Sequence, residues 1–197
     1  MKKKLLFCGL LLAGLNLQAQ IQSENFEGNA IPTGWTQQIT GAGTWTFGSN
    51  IPPYDGNPDF PSKAAIFNDD ALGSAAAPSV ATLLSPAIDV TSYNTLTVAF
   101  DYYMNEIGGK GFLRVEAFDG SAWQQLLFRD TDQITMANVS YDVTAFKNAA
   151  FRVRFTFDDE GGWSWGAAVD NFMLSGSLST TKHGKNFFSI FPYPAAH

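Results

Sequence analysis

The chain is predicted to fold as an all-β jelly-roll β-sandwich of two antiparallel sheets, on three observations. Leu96, Val98, Phe100 and Tyr102 alternate with Thr95, Thr97, Ala99 and Asp101, the period-two pattern of a strand with one buried face. No long segment keeps apolar residues at the three-and-four spacing of a helix. Between them, Pro and Gly punctuate short runs rich in Phe, Val, Thr and Trp, so about ten short strands are expected, enough for two stacked sheets.

Before the first strand, Met1-Lys-Lys-Lys4 leads into an apolar run from Leu5 to Leu17 that ends at Ala19. A basic start, a short apolar stretch and a small residue at the junction predict a secretory signal peptide over residues 1–19, cleaved before Gln20. The run is short for a bilayer span, and no membrane span is expected after cleavage. Cys8, the only cysteine, lies inside it.

Next come three strand candidates set off by turns, Ser23–Gly28, Ile31–Trp35 and Gly43–Phe47. Four prolines between Ile51 and Pro61 make that segment a loop, carrying Tyr54 and Phe60. Ser62–Phe67 resumes a strand and runs into Asn68-Asp69-Asp70. Further strands are expected at Val80–Leu84, from Thr95 onward and at Gly111–Phe118. Asp119-Gly120 signals a hairpin to Ser121–Phe128, and another strand is expected over Ile134–Val143. In Phe151–Phe157 the core face is Phe151, Val153, Phe155 and Phe157. After an acidic, Gly- and Trp-rich turn, Ala167–Gly176 forms the last strand, where strict alternation puts Asp170 on the same face as Phe172 and Leu174. The domain is thus bounded at residues 22–176, followed by a polar linker at 177–186 and a new segment at 187–197.

Signal removal takes away Lys2, Lys3 and Lys4 and leaves the chain three units more negative than its formal −6. No basic run remains to neutralise phosphates, so nucleic acid is excluded as a partner. Apart from Cys8, the chain's thiols and imidazoles are limited to His183 in the linker and His197 at the end. Ser-His-Asp and Cys-His nucleophiles and ordinary zinc sites are therefore not expected in the domain. Carboxylates remain, and a glycoside hydrolase would need two of them flanking the scissile bond; loop acids such as Asp158, Asp159 and Glu160 are numerous, but nothing marks a pair in an apolar cleft.

Several segments together resemble the exported jelly-roll domains called choice-of-anchor J, cleaved adhesin and MAM-like. They are Phe26-Glu27 with Pro32-Thr-Gly-Trp35, then Leu83-Leu-Ser-Pro-Ala-Ile-Asp-Val90 and Phe100-Asp-Tyr-Tyr103. The last is Asp158-Asp-Glu-Gly-Gly-Trp-Ser-Trp-Gly166 with Val169-Asp-Asn-Phe172. The resemblance implies a secreted or cell-surface, non-catalytic adhesion or binding module for a surface glycan or an extracellular protein. The alternatives are a carboxylate-dependent glycoside hydrolase and a purely structural piece of a larger surface protein. It also implies a calcium ion between the first strand and the last, carried onto Glu27 and Asp170. Phe188-Ser-Ile-Phe-Pro-Tyr-Pro-Ala195 is similar to the opening of the type IX secretion sorting domain of Bacteroidetes. Tyr193 stands there in place of the usual Asn, and the strands that follow in that domain are missing, so a truncated remnant is expected.

Calcium takes several oxygens in a loosely constrained shell, and Asn68, Asp69 and Asp70 are added to Glu27 and Asp170 as candidate ligands on their chemistry. The other reading of Asp170 is a turn cap satisfied by backbone N–H groups. For ligand contact, Tyr54, Phe60, Trp163 and Trp165 stand in loop contexts where a flat ring can stack on a sugar. Burial is expected for at least one of Trp163 and Trp165, while Trp35, Trp45 and Trp123 are expected in the core.

Overall fold

The computed structural model describes residues 18–48 and 62–178. Among them eleven strands pair antiparallel throughout: β1 (Gln18–Glu24), β2 (Thr36–Thr40), β3 (Thr46–Gly48), β4 (Ala64–Asn68), β5 (Val80–Leu84), β6 (Tyr93–Asn105), β7 (Phe112–Phe118), β8 (Trp123–Arg129), β9 (Gln133–Asp142), β10 (Val153–Asp158) and β11 (Gly166–Leu178). One sheet runs β3-β4-β11-β6-β9 with β1 also on β11, and the other runs β2-β5-β10-β7-β8. Single 3-10 turns at Asp70–Leu72 and Thr144–Phe146 are the helical elements of the described residues. The expected jelly-roll sandwich is what forms.

Alternation decides what each sheet buries. Leu96, Val98, Phe100 and Tyr102 of β6 face Val153, Phe155 and Phe157 of β10 and Leu113, Val115 and Ala117 of β7 in one core. Phe155 bridges the sheets, with ring centroids 5.3 Å from Phe100, 6.1 Å from Phe172 and 6.3 Å from Trp35. Trp35 and Trp45 are in this core as expected, and the Trp45 indole N–H donates to the Ala81 carbonyl at 3.0 Å. Trp123 is not. The β7–β8 hairpin sets it opposite Phe118 on the outer face, half-buried, because Val115 and Ala117 have taken the inner parity of β7. That hairpin is closed by Asp119, whose Oδ1 accepts from the backbone N–H groups of Ala122 and Ser121. These N–H groups, with the Ser121 hydroxyl and the Gln124 amide, hold its carboxyl below the usual range.

Ile31–Trp35 is a turn rather than a strand. The Trp35 N–H donates to the Pro32 carbonyl at 3.0 Å and Gly34 has φ +82°, the left-handed third position of a type II turn. The strand follows it as β2.

The alternation also breaks in β11. Ala167 and Val169 face the core, Ala168 packs with Ala64, Ile66 and Tyr103 on the outer side, and Phe172 and Leu174 face the core again. One extra residue must therefore be inserted between Val169 and Phe172. The pairing with β6 shifts between Asp170 and Met173, and Asn171 adopts φ +49°, a β-bulge at a residue type that tolerates the left-handed region. Asp170 accordingly shares the outer face with Ala168 instead of pointing inward with Phe172.

Candidate functional site

On that outer face, β6 places Asp101 directly opposite Asp170. Like charges facing each other across a ladder are unfavourable, and Asp170 is 2 % exposed. Its Oδ2 accepts from the Ser62 hydroxyl at 2.9 Å and its Oδ1 from the Asn171 backbone N–H at 2.7 Å. Burial pushes the Asp170 carboxyl up; the Asn171 N–H and the Ser62 hydroxyl act against this, and the charges of Asp101 and Glu27 add to it. Asp101 is held from two sides, by the Asn138 amide at 2.7 Å and the Asn171 amide at 2.8 Å. Among the described residues neither carboxylate has a basic partner; the ion pair those residues form, Arg154–Glu116, lies on the other sheet.

Glu27 reaches this place through a strained step. Phe26 has φ +48°, unusual for a bulky residue. Its ring is buried against Trp35 at 5.2 Å and its N–H donates to Glu24 Oε1 at 2.9 Å. Burying Phe26 turns Glu27 out of the core into the surroundings of Asp170. Strain of this kind persists only where packing over-determines it and is commoner at functional sites; Phe26 and Asn171, two of the three non-glycine residues with positive φ among the described residues, flank these acids. Beside them, Glu24, Asn138, Asn171 and Met173 line an open groove of ≈ 500 Å³.

Asn68, Asp69 and Asp70 are elsewhere. Asn68 pairs with Gly166, four residues before Asp170 on β11, roughly 13 Å away at a strand's ~3.3 Å per residue. Asn68 and Asp69 cap backbone instead. Asn68 Oδ1 accepts from the Ala71 N–H at 3.0 Å, and Asp69 Oδ2, 2 % exposed, accepts from the Ser164 N–H at 2.7 Å. Burial raises the Asp69 carboxyl to about 6, the Ser164 N–H opposes this, and the charges of Asp159 and Asp70 add to it. Asp159 is equally buried and accepts from the Ser79 and Gly161 N–H groups at 2.7 and 2.8 Å. The described residues hold no group of three or more His, Cys, Asp or Glu side chains arranged around a common point.

Of the four aromatic candidates, Tyr54 and Phe60 lie outside the described residues. Trp163 and Trp165 form a pair on the loop between β10 and β11, centroids 5.8 Å apart and tilted 48°. Neither is fully buried. Alternation does put them on one side, but Ser164 takes the buried side, its hydroxyl donating to the carbonyls of Lys110 and Asn105. The Trp163 indole N–H is shielded from solvent and meets no acceptor among the described residues.

Asp101, Asn138 and Ser62 escaped the reading of the sequence. Asp101 shows in the sequence only as a polar partner in the β6 alternation, and strand pairing alone brings it to Asp170.

The K3 cleaved adhesin domain of Lys-gingipain from Porphyromonas gingivalis superposes with a TM-score of 0.56 at 17% identity, covering 80% of this chain and 98% of that one. The K1 domain of the same protein gives 0.53 at 18%, covering 79% and 98%. The chain has their fold. A carbohydrate-binding module, TmCBM61, solved in complex with β-1,4-galactotriose, gives 0.52 at 13%, covering 76% and 92%. No family model matches the chain, and no curated protein matches it. Among the described residues no helix is long and apolar enough to cross a membrane.

Proposed function

We propose that this domain is an exported, non-catalytic binding module for a surface glycan or an extracellular protein, steadied by a calcium ion. The observation that carries the binding role is the Trp163–Trp165 pair: two large, part-exposed rings held at a fixed tilt on a short loop at one end of a rigid sandwich. Rings placed this way bury apolar area against a sugar or a side chain at little cost in side-chain entropy. Likeness in fold to adhesin domains and to a module that holds a galactotriose supports the reading. The calcium part is supported by the facing acids Asp101 and Asp170, with Glu27 close enough to raise Asp170 and, among the described residues, no ion pair to either aspartate.

Glycan-array binding by the full chain and by Trp163→Ala and Trp165→Ala, followed by a reducing-sugar assay on every bound glycan, tests the role. Binding without turnover that falls in both variants is the expected result. Sugar release would make the protein a hydrolase, and an array blank for wild type would leave glycans out of its function.

A further inference from the structure

The outer face of the five-stranded sheet carries side chains that neither the core nor the acidic site uses. Strand register lays them in rows across β8, β7, β10, β5 and β2: Phe128, Arg114, Thr156, Thr82 and Gln38 in one, Gln125, Glu116, Arg154, Leu84 and Thr36 in the next. Two arginines stand in these rows, and they are treated differently. Arg154 Nε donates to Glu116 Oε2 at 2.6 Å while its guanidinium lies 4.3 Å from the Trp123 ring centre. Its charge is answered and its plane is stacked.

Arg114 is stacked but not answered. Its guanidinium lies 4.7 Å from the Phe112 ring centre and 5.4 Å from that of Phe128. Nε is shielded from solvent without a hydrogen-bond partner, and among the described residues the side chain makes no ion pair. Two aromatic rings hold the fork in place, yet a shielded donor left unmet costs free energy.

We infer that this face is a second ligand surface, separate from the Trp163–Trp165 pair, and that its occupant is a uronate-containing glycan whose carboxylate is taken by the Arg114 guanidinium. A planar fork already held against two adjoining rings matches a carboxylate with two parallel N–H donors, and little side-chain freedom is lost on binding. The rest of the row argues for a sugar over a protein. The centre of a protein interface is largely apolar, whereas beyond Arg114 this row continues with two hydroxyls and an amide, with Thr82 and Thr156 within 2.9 Å of each other. At the ~4.8 Å spacing of adjacent strands the row runs roughly 19 Å, room for a short oligosaccharide. At its end, Phe128 is 40% exposed and offers apolar surface to a pyranose ring.

Calorimetric titration of the full chain with galacturonate, glucuronate and mannuronate trimers, each beside its neutral hexose trimer, tests this. One uronate is expected to bind at least about tenfold more tightly than its neutral partner, as a hydrogen bond between charged groups implies. Arg114→Met keeps the stem and should abolish that preference; Arg114→Lys keeps the charge, loses the fork and should weaken binding by about tenfold. Equal affinity for charged and neutral trimers, no uronate binding at all, or a preference that survives in a folded Arg114→Met variant would each overturn the inference. A glycan that binds through the tryptophans while Arg114→Met has no effect would overturn it and leave the proposed binding role standing.

Discussion

Three aspartates in this domain have the same chemistry and different tasks. Asp119 is half-buried at a turn and is held ionised by the N–H groups of Ala122 and Ser121. Asp69 is buried against Ser164 with Asp159 and Asp70 nearby, so its neutral form is favoured up to about pH 6. An acid whose folded-state pKa lies above its unfolded value of 3.8 takes up its proton first in the folded state. Stability from this group therefore rises as pH falls from about 6 to about 4, and its ionised form weakens the fold at neutral pH. Asp69→Asn, whose amide oxygen still accepts from Ser164, is expected to be about 2 kcal/mol more stable than wild type at pH 7, and the gap should close by about pH 4. Urea unfolding of both proteins across that range measures it; a gap constant with pH would refute the assignment. Asp170 is the third case. If calcium binds there, stability grows with free calcium by RT ln(1 + [Ca]/Kd), about 2.7 kcal/mol at a hundredfold excess over Kd. Thermal melts with chelator and with millimolar calcium should show that gain in wild type, most of it lost in Asp170→Ala and part of it in Asp101→Asn. A wild-type midpoint indifferent to calcium would leave Asp170 as a cap held by Ser62 and Asn171.

At the scale of the element, β11 does two jobs because one residue interrupts it. Its first part pairs with β4 and its second with β1, while β6 lies along the other edge throughout. The bulge at Asn171 lets Val169 and Phe172 both face the core and leaves Asp170 outside beside Asp101. A β-branched residue cannot take φ +49° without strain, so Asn171→Val is expected to cost about 1–3 kcal/mol, and Asn171→Gly to recover the backbone part while losing the bond to Asp101. Denaturant midpoints of the two variants check the order; Val as stable as Gly would mean that the bulge is not held by this residue.

For the whole molecule, the decisive contacts run between the sheets. Phe155 meets Phe100 and Phe172 from the opposite sheet and Trp35 from the turn before β2, so truncating it leaves a cavity that three rings from separate segments border. Phe155→Ala is expected to cost about 3–5 kcal/mol, read as a loss in unfolding free energy with an unchanged denaturant slope. The two faces turned away from that core carry the polar chemistry: acids and amides on one sheet, arginines, rings and hydroxyls on the other.

What the sequence determined by itself follows from period and composition, both local. Alternation in Thr95–Tyr102 and Phe151–Phe157 told which residues are buried, Asp119-Gly120 told where a hairpin closes, and the lack of His and Cys in the domain removed whole classes of chemistry. The resemblance in Phe26-Glu27 and Val169-Asp-Asn-Phe172 picked out Glu27 and Asp170, which the fold does bring near each other. Tertiary structure decided the rest. A single bulged residue reverses the faces of everything on one side of it, so Asp170 could not be placed from its own strand. Asp101, Asn138 and Ser62 join Asp170 from distant points of the chain, and the register of β4 on β11 carries Asn68, Asp69 and Asp70 away from it. Trp123 and Arg114 became visible as surface chemistry only once the hairpin had set which parity β8 presents outward. Side-chain direction along a strand is a local property; which strand lies alongside, and in what register, is settled by packing and loop closure across the whole chain.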